Sequence, residues 1–486
     1  MAHLLGSILV LVGLFMLVPL AWALATGEPT VRPFLAAAAV CLVSGLLLRG
    51  RRGDEELELR TALGVVAIGW AVAGLAGSLP FVLAGAMPHW SDAVFESFSG
   101  FTTTGATVIA EVESQPRSLL LWRSLLQWLG GVGIIVLFVS VFPRLGVGGI
   151  QLFRAEITGP SPEKVLPRVA ETGRLLWIIY LGLTTATTVA LVLAGVNWFD
   201  AINHAMTAVS TGGYSTRNDG IGAFASPVVH WVLTVGMFLG GMNFFLQYRV
   251  FRFGDWQAVR QNREFWVYVG LLLGAGLLVT ADLWMERAMR LSDAWRMGLF
   301  HAVSIMTTTG YVSDDYGTWP HMSRAILFML MFIGGSAQST AGGPKVIRLA
   351  ILFKHGIKEL EQLMHPRSVR ALRIGDKAVA DRTFYAVVGF VFLYIAIWLV
   401  STVILAATGL DLITAASAAI TSLSNVGPGF GKVGPAYTFA SLTPAAKLYL
   451  SFLMLVGRLE IMSVLILFHP AFWGRRNLRR PPASPA

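Results

Sequence analysis

Charge is scarce in this chain. Only 13% of its 486 residues are Asp, Glu, Lys or Arg, against about 25% in a soluble globular protein. Cysteine occurs once, as Cys41 inside an apolar run, which excludes an internal disulfide and leaves a core or lipid-facing thiol. The nine histidines show no metal-ligand spacing, and no Walker-type phosphate loop is present. The cluster Gly146-Val147-Gly148-Gly149 lacks the rest of a dinucleotide fingerprint and reads as a turn. A convergent His/Asp/Glu or nucleophile set is also missing, which argues against a membrane enzyme.

What the chain has instead is apolar length. Hydrophobic residues make up 55% of it, the mean hydropathy is +0.66, and apolar runs of 18 or more recur throughout, as in a polytopic membrane protein. Ten spans can be drawn, at 4–26, 33–48, 61–86, 119–142, 175–196, 227–248, 265–285, 322–350, 384–408 and 444–469. The first ends in Ala21-Trp22-Ala23-Leu24-Ala25, which could pass for a cleavage site. Its start lacks Lys and Arg and its apolar run is too long, so a retained helix is expected.

The net charge of +10 could suggest nucleic acid, but its placement does not. Segments 49–60, 144–174, 249–263, 345–382 and 470–486 fall on one side and hold 26 of the 37 Lys and Arg residues. The positive-inside rule makes that side cytoplasmic, with both termini inside. The basic segment 345–382, with Lys354, Lys358, Arg367, Arg370 and Arg373, is longer than a connection needs and is expected to dock a cytoplasmic partner as well.

Between the long spans lie four short half-polar segments that repeat one pattern. They open at Asp92, Asp200, Asp293 and Asp411, each a candidate helix N-cap, and end in a glycine turn. The aligned turns are Thr103-Thr104-Gly105, Ser210-Thr211-Gly212, Thr308-Thr309-Gly310 and Asn425-Val426-Gly427. A second register follows in Gly131, Gly241, Gly335 and Gly457, which lie 26, 29, 25 and 30 residues beyond the turn glycines. The fold expected is all-α, with four helix–pore-loop–helix repeats around a pseudo-fourfold pore plus two N-terminal transmembrane helices. The division expected is 1–60 for that addition, then repeats at 61–174, 175–264, 265–383 and 384–486.

Non-helical backbone at membrane depth is tolerated only where it is buried in protein or lines an aqueous path. Four such turns can present carbonyl and hydroxyl oxygens to one central point, and short helices aim their negative C-terminal ends at it. Rings of carbonyls replace the hydration shell of a monovalent cation, whereas a divalent site would show carboxylates, and the turns have none. A coupled secondary transporter of an organic solute is the alternative. Such proteins commonly use inverted repeats, and these repeats read as parallel.

The residues resemble the Trk-type potassium-uptake proteins, in the superfamily that includes the Ktr and plant HKT transporters. Besides the four turns, the likeness rests on LLQWLGGVGIIVL (125–137), GIQLFRAEITGP (149–160), GGSAQSTAGGPKVIR (334–348) and GRLEIMSVLILFHPAFW (457–473). The two helices before the repeats look like the Trk branch. The resemblance implies a potassium filter built from the four turns of one polypeptide, in a bacterial plasma (inner) membrane. It implies a homodimer with one pore per subunit and a separate cytoplasmic nucleotide-binding ring protein that regulates it. A serine in place of the first filter glycine is linked in the superfamily to sodium transport; the glycine here is Gly105, which favours potassium. The fourth turn reads Asn425-Val426-Gly427-Pro428, as is usual in the family.

The family's third repeat carries a glycine-rich intramembrane gate. Here it is Gly334, Gly335, Gly342 and Gly343 with Ser336, Gln338, Ser339 and Thr340 between them. Gln338, Ala341 and Pro344 depart from the family pattern. Counting from Arg324 and from Lys447 at 1.5 Å per residue puts Gly334 and Arg458 at a shared level, roughly 15–17 Å below the outer end. An unpaired arginine at that depth costs several kcal/mol, and loop carbonyls would offer it acceptors. Arg458 and the loop are therefore expected to close the pore together below the filter.

Overall fold

The computed structural model describes residues 2–50, 59–141, 169–365, 373–374, 377–379 and 381–473. The motif at 149–160, the glycine cluster at 146–149, and Arg367 and Arg370 lie outside the described residues. Helices α1 (Ala2–Thr26) and α2 (Val31–Arg49) form a hairpin. Their backbones touch where Gly6 meets Gly45: a Cβ on Gly45 would lie 2.8 Å from the Gly6 carbonyl oxygen. Small residues at such crossings let membrane helices approach closely. Cys41 is buried in α2. The loop after α1 anchors the hairpin, because Thr30 Oγ1 and Ser118 Oγ lie 2.6 Å apart and Ser118 N–H donates to Glu28 at 3.0 Å.

One motif then recurs four times, as a long helix, a short helix, a turn and a returning helix. The first set is α3 (Leu59–Leu83), α4 (Trp90–Phe101) and α5 (Arg117–Val141). The second is α6 (Val169–Leu193), α7 (Trp198–Val209) and α8 (Pro227–Gly240), followed by α9 (Phe244–Phe253) and α10 (Trp256–Gln261). The third is α11 (Arg263–Glu286), α12 (Leu291–Met306) and α13 (His321–Leu330), with α14 (Val346–Met364) beyond a loop. The fourth is α15 (Asp381–Ala407), α16 (Leu412–Leu423) and α17 (Pro444–Arg458), followed by α18 (Ile461–Leu465) and α19 (Pro470–Trp473). A two-residue antiparallel pair, Arg373–Ile374 with Lys377–Ala378, follows α14.

Six of the described helices are long and apolar enough to cross a membrane unbroken. The chain is a polytopic, helical membrane protein. Three of the ten spans drawn from the sequence are not continuous helices. The span at 227–248 bends by 102° between α8 and α9. The cause is local: Asn243 caps α9 by accepting from Phe245 and Leu246 N–H at 2.9 and 3.2 Å. The span at 322–350 is interrupted from Met331 to Lys345, where glycines dominate. The span at 444–469 bends by 115° after α17, at Glu460 with φ 57°.

The short helices also start earlier than expected. Asp411 does cap α16, accepting from Thr414 N–H. Asp92, Asp200 and Asp293 instead sit three residues inside, behind His89, Asn197 and Arg290. Their carboxylates still lie in the first turn, where the helix dipole favours negative charge. The C-terminal halves of the short helices are buried in protein, and in α4 every residue except Trp90 is buried. Half-polar text such as Glu96, Ser97 and Ser99 is tolerated at this depth because it never meets lipid.

Candidate functional site

Each short helix ends in a turn of one shape. The residue at its second position has positive φ in all four: Thr103 at 55°, Thr211 at 53°, Thr308 at 57° and Asn425 at 58°. Two residues later a glycine has positive φ again: Gly105 at 82°, Gly213 at 80°, Gly310 at 75° and Gly427 at 100°. The hydrogen bonds repeat as well. Thr104 and Gly105 N–H both donate to Ser99 O (2.8 and 3.4 Å), Gly212 and Gly213 to Thr207 O (2.8 and 3.4 Å), and Thr309 and Gly310 to Ser304 O (2.9 and 3.1 Å). Val426 N–H donates to Thr421 O at 2.8 Å.

This geometry corrects the second turn by one residue. Gly213 is the counterpart of Gly105, Gly212 matches Thr104, and Ser210 matches Thr102. Gly212-Gly213 is a tandem, so either glycine could have served the alignment. The backbone angle and the contact with the next turn separate them. The second glycine register shifts too. Gly130, Gly240 and Gly457, not Gly131 and Gly241, lie against the last carbonyls of their own short helices, those of Phe101, Val209 and Leu423.

The four turns meet in a closed ring. A Cβ built on Gly105 would strike the carbonyl oxygen of Gly212, one on Gly213 that of Thr309, and one on Gly310 that of Val426. A Cβ on Gly427 would lie 2.5 Å from the carbonyl oxygen of Thr104, which joins the fourth turn to the first. Asn425 Nδ2 reinforces that junction by donating to Thr104 Oγ1 at 3.0 Å. Thr103 Oγ1 is buried without a hydrogen-bond partner. On the glycine side, a cavity of about 620 Å³ opens over Gly105, Gly213, Gly310 and Pro428, with Asp219, Asp314 and Asp315 in its wall. Among the described residues no group of His, Cys, Asp and Glu is arranged to hold a metal ion.

The glycine-rich stretch of the third repeat lies against the helix-end side of the ring. Gly334 and Gly343 have φ of 83° and 73° and pack on each other, closing the loop at its base. Ser336 N–H donates to Gly241 O at 2.9 Å, Val346 N–H to Gly335 O at 3.0 Å, and Ser339 Oγ to Ser336 O at 2.6 Å. Phe244 N–H donates to Gln338 O at 3.1 Å. Thr340 Oγ1 donates to Val209 O and Gly240 O, both at 3.0 Å, and Gly342 N–H donates to Thr308 Oγ1 at 2.6 Å. The loop therefore touches the second and third turns directly.

Arg458 reaches this loop, as depth counting anticipates. Its Nη1 donates to Thr340 O at 2.6 Å and its Nη2 to Gly130 O at 3.0 Å. Glu460 pairs with Arg348 at 2.8 Å, and the Arg348 guanidinium stacks 3.9 Å over Phe390.

The sequence alone assigns no partners to several polar residues around the turns. Glu264 accepts from Ala337 N–H at 2.6 Å, and Lys345 Nζ donates to Ala341 O, so both hold the loop. Gln127 donates to Gly212 O at 2.6 Å and accepts from Tyr214 N–H at 3.0 Å. Arg123 pairs with Glu96 at 2.8 Å, and Lys447 with Asp92 at 2.7 Å, all four side chains buried. A signal existed for two of them. Arg123 and Gln127 stand four apart in a helix of membrane-spanning length, hence on one face.

A family profile described as TrkH, cation transport protein, matches residues 33–274 and 276–475. The Trk system potassium uptake protein TrkH of Salmonella typhimurium is 39% identical over 474 residues, covering 96% of this chain and 98% of that protein. The Trk system potassium uptake protein TrkG of Escherichia coli K12 is 34% identical over 475 residues, covering 97% and 98%. Among solved structures, the potassium transporter TrkH from Vibrio parahaemolyticus superposes with a TM-score of 0.88 at 38% identity, covering 97% of this chain and 99% of that one.

Proposed function

This chain belongs to the TrkH family of cation transport proteins, and from that premise we propose that it mediates potassium uptake through a pore ringed by its four turns. One observation carries the reading. The turn glycines of all four repeats abut the carbonyl of the next turn, and the ring closes from the fourth to the first. A ring of carbonyls between helix C-terminal ends favours a desolvated monovalent cation. Its ligands are the backbone and hydroxyl oxygens of Thr103-Thr104-Gly105, Thr211-Gly212-Gly213, Thr308-Thr309-Gly310 and Asn425-Val426-Gly427. The unpartnered Thr103 hydroxyl is one acceptor available to an ion.

The loop from Gly334 to Gly343 and Arg458 form the gate of this pore. Loop hydrogen bonds to Thr308 and to Val209 hold it against the ring, and Arg458 adds a positive charge at the same level. The protein acts as a homodimer in a bacterial plasma membrane with both termini cytoplasmic, which the placement of Lys and Arg supports. A cytoplasmic nucleotide-binding ring protein docks on the basic side and biases the gate.

Purified protein in liposomes tests the reading. Under a potassium gradient alone it should set a membrane potential near the potassium equilibrium value, and sodium should substitute poorly. Equal potentials from matched sodium and potassium gradients would refute a selective pore.

A further inference from the structure

Two tyrosines tie neighbouring turns together. Tyr214 and Tyr311 each follow a turn glycine, Gly213 and Gly310, and both are buried. Each reaches back to the short helix of the preceding repeat. The Tyr214 hydroxyl donates to Glu96 O at 2.8 Å, and the Tyr311 hydroxyl donates to His204 O at 2.9 Å. Glu96 and His204 occupy equivalent positions, each nine residues before the glycine of its own turn, Gly105 and Gly213. The two contacts are thus one device used twice. A tyrosine ring has fixed length, so each acts as a strut between the exit of one turn and the helix behind its neighbour.

The first strut has a second anchor. Arg123 stacks 4.1 Å over the Tyr214 ring and pairs with Glu96. It also donates to Ser215 O at 3.1 Å and to Thr107 Oγ1 at 3.2 Å. Glu96 in turn accepts from Thr107 Oγ1 at 3.0 Å and Val108 N–H at 2.9 Å. The segments leaving the first and second turns are therefore fastened to one buried ion pair. The other two junctions lack this device, because Pro428 and Ala106 stand at the tyrosine positions. There Tyr316 donates to Pro428 O at 3.2 Å and Phe439 N–H to Thr107 O at 2.9 Å.

We propose that Tyr214 and Tyr311, backed by the Arg123–Glu96 pair, are positioning residues that hold the ring of turns at the width that discriminates potassium from sodium. They touch no ion; they act through the carbonyls of the turns they brace. The proposal rests on the reading of the turns as the selective element. A ring free to contract could fit sodium, and struts outside the ring resist contraction where helix packing alone would allow it.

The test uses the full chain reconstituted in liposomes, with reversal potentials read under mixed potassium and sodium gradients. Tyr214→Phe and Tyr311→Phe each remove one hydroxyl and keep the ring. Each should lower the potassium-to-sodium permeability ratio roughly two- to tenfold, the range a single hydrogen bond corresponds to, and the double variant should lower it further. Tyr268→Phe, which removes a buried hydroxyl bonded to Phe238 O, is the reference for a purely structural loss and should leave the ratio unchanged. A second readout needs no conduction: potassium should protect the parent from heat better than sodium does, and this difference should shrink in the two strut variants. Gly105→Ser is measured alongside. If it lowers the ratio while both strut variants keep the parent ratio and the parent ion difference, the struts set nothing. If Gly105→Ser also keeps the ratio, the turns are not the selective element, and the strut proposal falls with that reading.

Discussion

Replacing Gly213 by alanine, and Gly212 by alanine for comparison, separates two alignments that one residue divides. Gly213 has φ 80°, and its Cβ would strike the backbone carbonyl of Thr309 in the next turn. Left-handed backbone costs a residue with a side chain about 1–2 kcal/mol. Overpacking a fixed site adds about 1–3 kcal/mol, because a backbone carbonyl cannot swing aside as a side chain can. The penalty falls on the ring itself, and each ~1.4 kcal/mol of lost discrimination is a factor of ten. Gly213→Ala should therefore lower the potassium-to-sodium ratio at least about tenfold or abolish flux. Gly212 is different: its φ lies outside the left-handed range, and its Cβ would meet the side chain of Gln127. That side chain can turn away with the loss of its two hydrogen bonds, each worth about 0.5–1.5 kcal/mol. Reversal potentials in liposomes would read both variants, with thermal stability as the check on folding. If Gly212→Ala is the more damaging, or Gly213→Ala keeps the parent ratio, the structural alignment of the second turn is wrong.

Three further outcomes are expected. Arg458→Ala removes two charge-assisted hydrogen bonds, each worth about 1.5–3 kcal/mol, and should raise potassium flux without loss of selectivity; unchanged flux in a folded variant, measured without the partner, would remove Arg458 from the gate. Lys447→Met leaves Asp92 buried without its ion-pair partner and should cost about 3–5 kcal/mol of stability, whereas adding Asp92→Leu should recover much of it; a melting temperature unmoved by the single change would contradict the buried pair. Reversing the charges of Arg367, Arg370 and Arg373 should weaken pull-down of the cytoplasmic ring protein at low salt, and undiminished binding would leave that segment a topogenic role only.

Much of the fold was legible because membrane depth turns polarity into a signal. Thr-Thr-Gly runs in an apolar chain, repeated at near-equal spacing, have few structural uses other than buried turns. The third-repeat loop was legible for the same reason, with four glycines in ten residues. The break at Asn243 was not, although Gly-Gly-Met-Asn contains a helix stop followed by a capping residue. It was read as one span because hydropathy alone does not register a bend between two apolar helices. The choice between Gly212 and Gly213 could not be made from text, since they are identical residues that differ only in backbone angle and in what they face. Glu264 and Lys345 were hidden differently. Each sits beside a basic segment, where charge reads as surface, yet each folds inward to hold the loop.

The closing contact of the ring has a consequence for how the protein is made. Asn425 bonds to Thr104 across 321 residues of sequence, and Gly427 lies against the Thr104 carbonyl. Domains form in the order of synthesis, N-terminal units first. Between synthesis of the third turn at Gly310 and of the fourth at Gly427 the bilayer therefore holds three turns of an incomplete circle, with the Thr104 carbonyl facing a gap. An opening of that kind in a membrane would dissipate ion gradients if it conducted. The Arg123–Glu96 pair lies wholly within the first repeat, so its partners are both made before the last turn arrives.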